Sequence, residues 1–148
     1  MNKDTRKLWE VWGQTNALYT QWCAAQNMNY YRQLVLYALE AHAPTTQKRI
    51  ADDTGLSKQT VATVMRTLKA EGLVDLSEGS SDRREKTVRL TEAGAECARS
   101  ALGSLHALED RVLEILGEKR IKQMLDSVSL FNTVFEKEME AVRDAEQK

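Results

Sequence analysis

The stretch that decides the fold is TQKRIADDTGLSKQTVATVMRTLKAEGLVDLSEGSSDRREKTVRLT, residues 46–91. Thr46 or Thr45 can cap a short helix that ends near Gly55, and Ser57 can cap a longer one that ends at Gly72. Alternating apolar and polar residues on both sides of a polar loop then predict two strands joined as a hairpin. This order predicts a helix-turn-helix followed by a wing, which presents one helix to a DNA major groove.

Long helices are predicted on both sides of this stretch. Apolar residues recur at spacings of three, four and seven from Arg6 to Trp22, and along two helices that meet at Gly117. A further helix around Arg32 to Ala41 is apolar nearly all round, which predicts that it is buried. The winged stretch cannot cover the other three stripes. We therefore expect those helices to pack against a second copy of the chain.

The predicted fold is mainly α with a small β wing: a winged helix-turn-helix with N- and C-terminal dimerisation helices. At 148 residues the chain fits one domain. Within this domain, 1–148, we assign residues 30–91 to the winged core, and residues 1–29 and 92–148 to dimerisation.

Composition predicts a soluble, cytoplasmic protein. Apolar residues make up 42% and charged residues 29%, and no apolar run approaches the roughly 18 residues of a membrane span. The polar N-terminus is unlike a signal peptide. The net charge is −1, and residues 45–91 carry nine Lys/Arg against seven Asp/Glu. Affinity for DNA must therefore come from the placement of a few cations.

The exposed face of the helix that follows Ser57 carries the candidate DNA-reading groups. A Gln side chain pairs bidentately with adenine, and a Thr methyl contacts thymine, so Gln59, Thr60 and Thr63 are predicted to read bases. The alternative is a merely solvated helix face. A helix N-terminus and cations suit phosphates. The candidate phosphate contacts are Ser57, Lys58, Arg66 and Lys69.

The wing carries a signature, Asp82-x-Arg84 followed by Val88-x-Leu90-Thr91 and then Gly94. A second run precedes it: Leu56, Ser57, Thr60, Val61, Leu68, Gly72, Leu73 and Val74. Together with the order of the helices, these residues resemble the MarR family of bacterial transcriptional regulators over nearly the whole chain.

The resemblance implies a homodimer whose terminal helices interlock. Its two winged modules would reach successive major grooves of a pseudo-palindromic site in double-stranded DNA. Many members of the family are repressors that small, often phenolic or otherwise anionic, compounds release from DNA. Such compounds bind between the dimer region and the winged module.

The resemblance also implies roles at the tip of the wing. A guanidinium held out on a loop suits the narrow, negative minor groove of A/T-rich DNA, and the family pattern gives this role to Arg84. Asp82 would hold Arg84 by an ion pair, and Arg83 and Lys86 would contact phosphates. The alternative is an ordinary charged hairpin.

Aromatic residues crowd the first 37 positions and could line a pocket for an effector. Core and dimer contacts are the competing interpretation. Tyr30, Tyr31 and Arg32 open the second helix and could offer hydroxyls or a cation to a small anionic or aromatic effector. Together with Trp12 they are the candidate effector-binding residues.

Cys23 and Cys97 lack metal-ligand spacing, and we expect both to be structural. The organic-hydroperoxide-sensing branch of the family has its reactive cysteine elsewhere, about where Asn16 falls. A cysteine-based redox-responsive regulator nevertheless remains an alternative. His42 and His106 are too few to suggest a metal site, and we expect no metal and no cofactor.

Enzymatic motifs are absent from the sequence. It contains no HExxH, no glycine-rich phosphate loop and no GxSxG, so we expect a protein that is not an enzyme. A winged-helix module that binds protein instead of DNA is the other alternative.

Overall fold

The structure, a computed structural model, describes residues 2–78 and 86–146. Two units divide the chain, residues 1–103 and 104–148. Within the described residues the predicted class, mainly α with a small antiparallel sheet, is confirmed. In chain order the elements are α1 (Lys3–Ala25), α2 (Tyr30–His42), β1 (Thr45–Thr46), α3 (Gln47–Thr54), α4 (Lys58–Ala70), β2 (Val74–Glu78), β3 (Lys86–Leu90), α5 (Glu92–Leu116) and α6 (Glu118–Glu146).

The predicted caps fix the ends of the winged elements. Thr46, Ser57 and Thr91 each accept a hydrogen bond from the backbone amide three residues ahead, at 3.1, 3.0 and 2.9 Å. Gly55 and Gly72 follow α3 and α4 with φ values of 69° and 71°, a left-handed conformation that glycine adopts without strain. The helix-turn-helix therefore begins and ends where the sequence predicts.

The sheet has one strand more than predicted. Its order is β1-β3-β2, and β3 pairs antiparallel with both neighbours. The extra strand is only Thr45 and Thr46, opposite Val88 and Thr87, and two residues are too few to show alternation. The predicted tip of the wing, which includes Asp82, Arg83 and Arg84, lies outside the described residues.

The core of the first unit confirms that α2 is buried. Val35, Leu36 and Leu39 have essentially no exposed surface. We expected the apolar stripe of α5 to pack against a second copy of the chain. At the start of α5 this is wrong, because Ala98 and Leu102 pack into the core of the first unit. The other core residues are Ala38, Ile50, Ala51, Val61, Met65, Leu68, Val74 and Val88.

Large apolar side chains remain exposed on α1 and on the second unit. Trp9 and Leu18 of α1 are 74% and 60% exposed, while Leu130 and Phe135 of α6 are 65% and 60% exposed. No residue of α6, a helix of 29 described residues, is buried. None of the helices in residues 2–78 and 86–146 is long and apolar enough to cross a membrane.

A close backbone contact joins the end of α4 to the start of α5. A Cβ atom on Gly94 would lie 1.8 Å from the carbonyl oxygen of Leu73, so only glycine fits there. Thr91 adds two hydrogen bonds to the same segment. Its amide donates to Leu73 O at 3.0 Å, and its hydroxyl donates to Gly72 O at 2.8 Å.

We expect Gly94→Ala to lower the free energy of unfolding by roughly 2 kcal/mol, because the backbone must move to admit the new methyl group. Gly103→Ala is the matched control. Gly103 lies in the same helix, and nothing lies within 4 Å of its Cβ position. Its replacement by Ala should therefore raise the free energy of unfolding by roughly 0.5–1 kcal/mol. Urea unfolding at one protein concentration measures both changes. Equal stability of the two variants would contradict the contact.

Candidate nucleic-acid interface

The outer face of α4 lies opposite its buried residues. Val61 and Leu68 face the core with no exposed surface. At 100° per residue, Gln59, Thr63 and Arg66 fall on the opposite side, and all three are exposed. Two of the three predicted base-reading side chains, Gln59 and Thr63, therefore share one outward stripe, whereas Thr60 lies beside it. Arg66, predicted to contact phosphates, lies in the stripe itself.

The two flanks of this stripe differ in chemistry. Lys58 and Lys69 lie three turns apart on one flank, and both are exposed. Thr60 and Thr67 lie on the other flank. Cations beside a row of hydrogen-bonding groups suit a duplex, in which phosphates flank the base edges.

Hydrogen bonds hold several side chains of this face in place. The Ser57 hydroxyl accepts the Thr60 amide at 3.0 Å, and its oxygen lies 2.8 Å from the Thr60 hydroxyl oxygen. Arg66 Nη2 donates to the Thr63 hydroxyl oxygen at 3.2 Å. Side chains held before binding lose less conformational entropy when they meet a ligand.

The hairpin also presents exposed cations. Lys86 opens β3 and is exposed. Asp75 and Arg89 face each other across β2 and β3, on the side of the sheet away from the buried Val88. Sequence reasoning did not include Arg89 among the candidates, although its alternation with Val88 and Leu90 showed that it is exposed.

An open groove of about 540 Å³ lies between the start of α2 and α4. Of the four effector candidates, Tyr31 and Arg32 line it, whereas Trp12 and Tyr30 are not among its lining residues. Asn29 completes the α2 side. The α4 side is formed by Ser57, Gln59, Thr60, Thr63, Val64 and Thr67, so the predicted base-reading residues also form a wall of the groove.

Arg32 makes a bidentate ion pair that the sequence did not reveal. Its Nη1 and Nη2 atoms donate to Oε1 and Oε2 of Glu71 at 3.0 and 2.6 Å. These hydrogen bonds lower the pKa of the Glu71 carboxyl and raise the pKa of the Arg32 guanidinium, so both groups stay charged. The pair ties the start of α2 to the residue that follows α4, across 39 positions of sequence.

The two cysteines have different surroundings. Cys23 is buried, and its thiol donates to Gln33 Oε1 at 2.6 Å. Burial raises the pKa of this thiol, which disfavours the reactive thiolate. Cys97 is partly exposed, with its Sγ 3.9 Å from Nη2 of Arg32, a neighbour that sequence spacing could not show. In the part of the chain that the structure describes, no group of three His, Cys, Asp or Glu residues could hold a metal ion.

The polar face of α4 beside an antiparallel hairpin defines a winged helix-turn-helix, a class of DNA-binding protein. The model of the MarR family matches residues 34–85. The HTH-type transcriptional repressor NicR of Pseudomonas putida is 31% identical over 122 residues, which cover 75% of this chain and 75% of that protein. The chain belongs to the MarR family of transcriptional regulators, as its resemblance predicts. Regulators of this kind are a non-enzymatic class.

Solved structures confirm the fold. NMB1585, a MarR family regulator from Neisseria meningitidis, is 31% identical, with a TM-score of 0.82. The match covers 95% of this chain and 98% of that one. MarR from Staphylococcus aureus, solved in complex with salicylate and kanamycin, shares the fold at 18% identity, with a TM-score of 0.67 and 91% of each chain covered.

Proposed function

We propose that the protein is a homodimeric, sequence-specific DNA-binding repressor that a small anionic or aromatic effector releases from a pseudo-palindromic site. The observation that carries this proposal is the outward stripe of Gln59, Thr63 and Arg66 on α4. These side chains can bind base edges, and they lie on the helix that a winged helix-turn-helix presents to DNA. The similarity to a protein named as a transcriptional repressor supports repression over activation.

In this proposal α4 enters the major groove. Gln59 pairs with adenine, while Thr60 and Thr63 contact thymine methyl groups or base edges. Arg66 lies in the reading stripe and can reach either a base or a phosphate. The phosphate contacts come from the α4 amide groups that Ser57 leads, and from the flanking cations Lys58 and Lys69.

The wing reaches the neighbouring minor groove. Arg84 enters this groove and Asp82 orients its guanidinium, as the family pattern implies. Arg83 and Lys86 contact phosphates. The exposed position of Lys86 at the start of β3 supports its part in this arrangement.

A second copy of the chain covers the exposed apolar helices. Both units present such faces, on α1 in the first and on α5 and α6 in the second. Most helices in proteins are stabilised by packing of their apolar face, and α6, with no buried residue, needs a partner along its apolar stripe. Residues 1–29 and 92–148 therefore supply the dimer, and residues 30–91 supply the DNA-binding core, to which Ala98 and Leu102 of α5 are added. Two-fold symmetry then explains a pseudo-palindromic site.

The groove beside α4 is the proposed effector site. Tyr31 offers an aromatic ring and a hydroxyl, and Arg32 offers a cation. The salicylate bound to the S. aureus protein is a small aromatic anion of the kind that such groups recognise. In this proposal Trp12 and Tyr30 do not contact the effector and instead make packing or dimer contacts.

The first test separates base reading from phosphate contact. Gln59→Ala should cost about 1–3 kcal/mol on the correct site and relax the preference for one base pair. Lys69→Ala should weaken correct and scrambled duplexes alike, with a salt dependence lower by about one charge. Titration of fluorescent duplexes from the DNA flanking the gene, at several salt concentrations, measures both. The assignment fails if Gln59→Ala affects all sequences equally.

The second test concerns the wing. Arg84→Ala should lose about 1–3 kcal/mol of operator binding. Arg84→Lys keeps the charge but not the flat guanidinium that fits a narrow minor groove, and should recover part of the affinity. The same titrations report both variants. Unchanged affinity of Arg84→Ala for a mapped operator would remove this role.

The third test concerns the dimer. Phe135→Glu puts a charge into the apolar stripe of α6, so we expect it to shift the protein to monomers and to weaken operator binding at least tenfold. Lys137→Glu on the opposite side of α6 is the control and should remain dimeric. Sedimentation equilibrium measures the assembly. A dimeric Phe135→Glu variant would show that this stripe is not the interface.

A further inference from the structure

We infer that Glu71 is an internal competitor for the effector: it occupies the Arg32 guanidinium in the free protein, and a planar aromatic carboxylate enters the groove by replacing it. This inference rests on the proposed repressor function and names the chemistry and regulation of its effector site. Arg32 is the only charged residue among the described residues that line the groove, so an anion has one cation to bind there.

The geometry of the ion pair matches that of the proposed ligand. Arg32 uses two nitrogen atoms to bind the two oxygens of the Glu71 carboxylate. An aromatic carboxylate presents the same pair of oxygens in one plane, and a guanidinium binds such a pair in the same bidentate way. Glu71 is not itself a lining residue, but it follows the lining residue Thr67 by one helical turn. Its carboxylate occupies both Nη atoms along one edge of the guanidinium, so a ligand that binds the same edge must displace it.

Glu71 is the partner that can leave. It is 42% exposed, it lies just beyond the last residue of α4, and water can solvate its carboxylate when it swings away. Arg32 is 25% exposed and is held from several sides. Its backbone amide is capped by Asn29 Oδ1 at 3.0 Å, and its guanidinium also contacts the Cys97 sulfur. The exchange therefore moves the carboxylate and leaves the cation in place.

The rest of the groove suits an aromatic ring. Tyr31 is about half exposed and Val64 is partly buried, so both present apolar surface to a flat ligand. Hydroxyl groups of Thr60 and Thr67 lie on the same side of α4 and can bind a polar substituent. An aliphatic carboxylate would meet the cation but would gain less from this surface.

Binding at this position has two effects on DNA recognition. The ligand contacts Thr60, Thr63 and Gln59 from the side, so it occupies space beside the groups that read bases. Release of Glu71 also removes the side-chain tie between the start of α2 and the end of α4. The ligand and DNA therefore compete for the same face of α4.

Isothermal titration with benzoate, in the absence of DNA, tests the competition. Glu71→Gln keeps the size of the side chain and removes its charge, so we expect benzoate to bind about fivefold more tightly than to the wild type, the factor typical of a partly exposed ion pair. Benzamide has the same shape without the charge and should bind equally to both proteins. Tighter binding of benzoate alone supports the inference.

Two further variants show whether the tighter binding of benzoate by Glu71→Gln depends on Arg32. In an Arg32→Gln background, Glu71→Gln should no longer tighten benzoate binding. If Glu71 acted only by repelling the benzoate charge, the same substitution would still tighten binding in that background. Asp53→Asn is the matched control. It frees Arg49, which Asp53 holds at 2.8 Å outside the groove, and should leave benzoate binding unchanged. Thermal unfolding verifies that each variant is folded, and Arg32→Lys can replace Arg32→Gln if that protein is unstable.

The outcomes separate this inference from the proposed function. Equal benzoate affinity for wild type and Glu71→Gln, or no binding to either, overturns the inference. The same holds if the gain persists without Arg32. In those cases operator binding by the wild type still supports a repressor. Conversely, if the wild type binds no duplex specifically, the repressor function fails whatever benzoate does.

Discussion

The close contact between Gly94 and the Leu73 carbonyl is the constraint on which the rest of the DNA-binding unit depends. It joins the exit of the reading helix, the first strand of the wing and the first turn of α5. Thr91 reinforces it with two hydrogen bonds to the same segment and also caps α5. Three elements therefore meet at one backbone contact, which constrains the position at which the chain leaves α4 relative to the wing and α5.

Local sequence patterns predicted the helices and strands, but they could not predict which residues distant in sequence form pairs. The caps at Thr46, Ser57 and Thr91 were predictable because a cap and its amide lie three residues apart. The pairing of Arg32 with Glu71 spans 39 residues, so no spacing rule could suggest it. The buried start of α5 was missed for a related reason, since an apolar stripe shows that a helix is covered but not which surface covers it.

The candidate site explains how a chain with a net charge of −1 can bind a polyanion. Lys58 and Lys69 stand on one flank of the reading stripe, and Lys86 stands at the hairpin. If these lysines are the phosphate contacts, as proposed, each chain makes few of them and its non-specific affinity is modest. A dimer doubles these contacts and requires both half-sites to match, so symmetry adds both affinity and specificity. In the proposed dimer the exposed apolar helices therefore serve recognition as well as stability.

Because the groove shares Gln59, Thr60 and Thr63 with the face proposed to read DNA, an effector bound in the groove and DNA would not be independent ligands. Thermodynamic linkage requires each to lower the affinity of the other by the same factor. If Glu71 holds Arg32 in the free protein, the affinity for the effector is reduced in proportion to the fraction of time that the guanidinium is free. In this proposal the strength of a single partly exposed ion pair thus tunes the effector concentration that releases DNA, without changing the residues that read the operator.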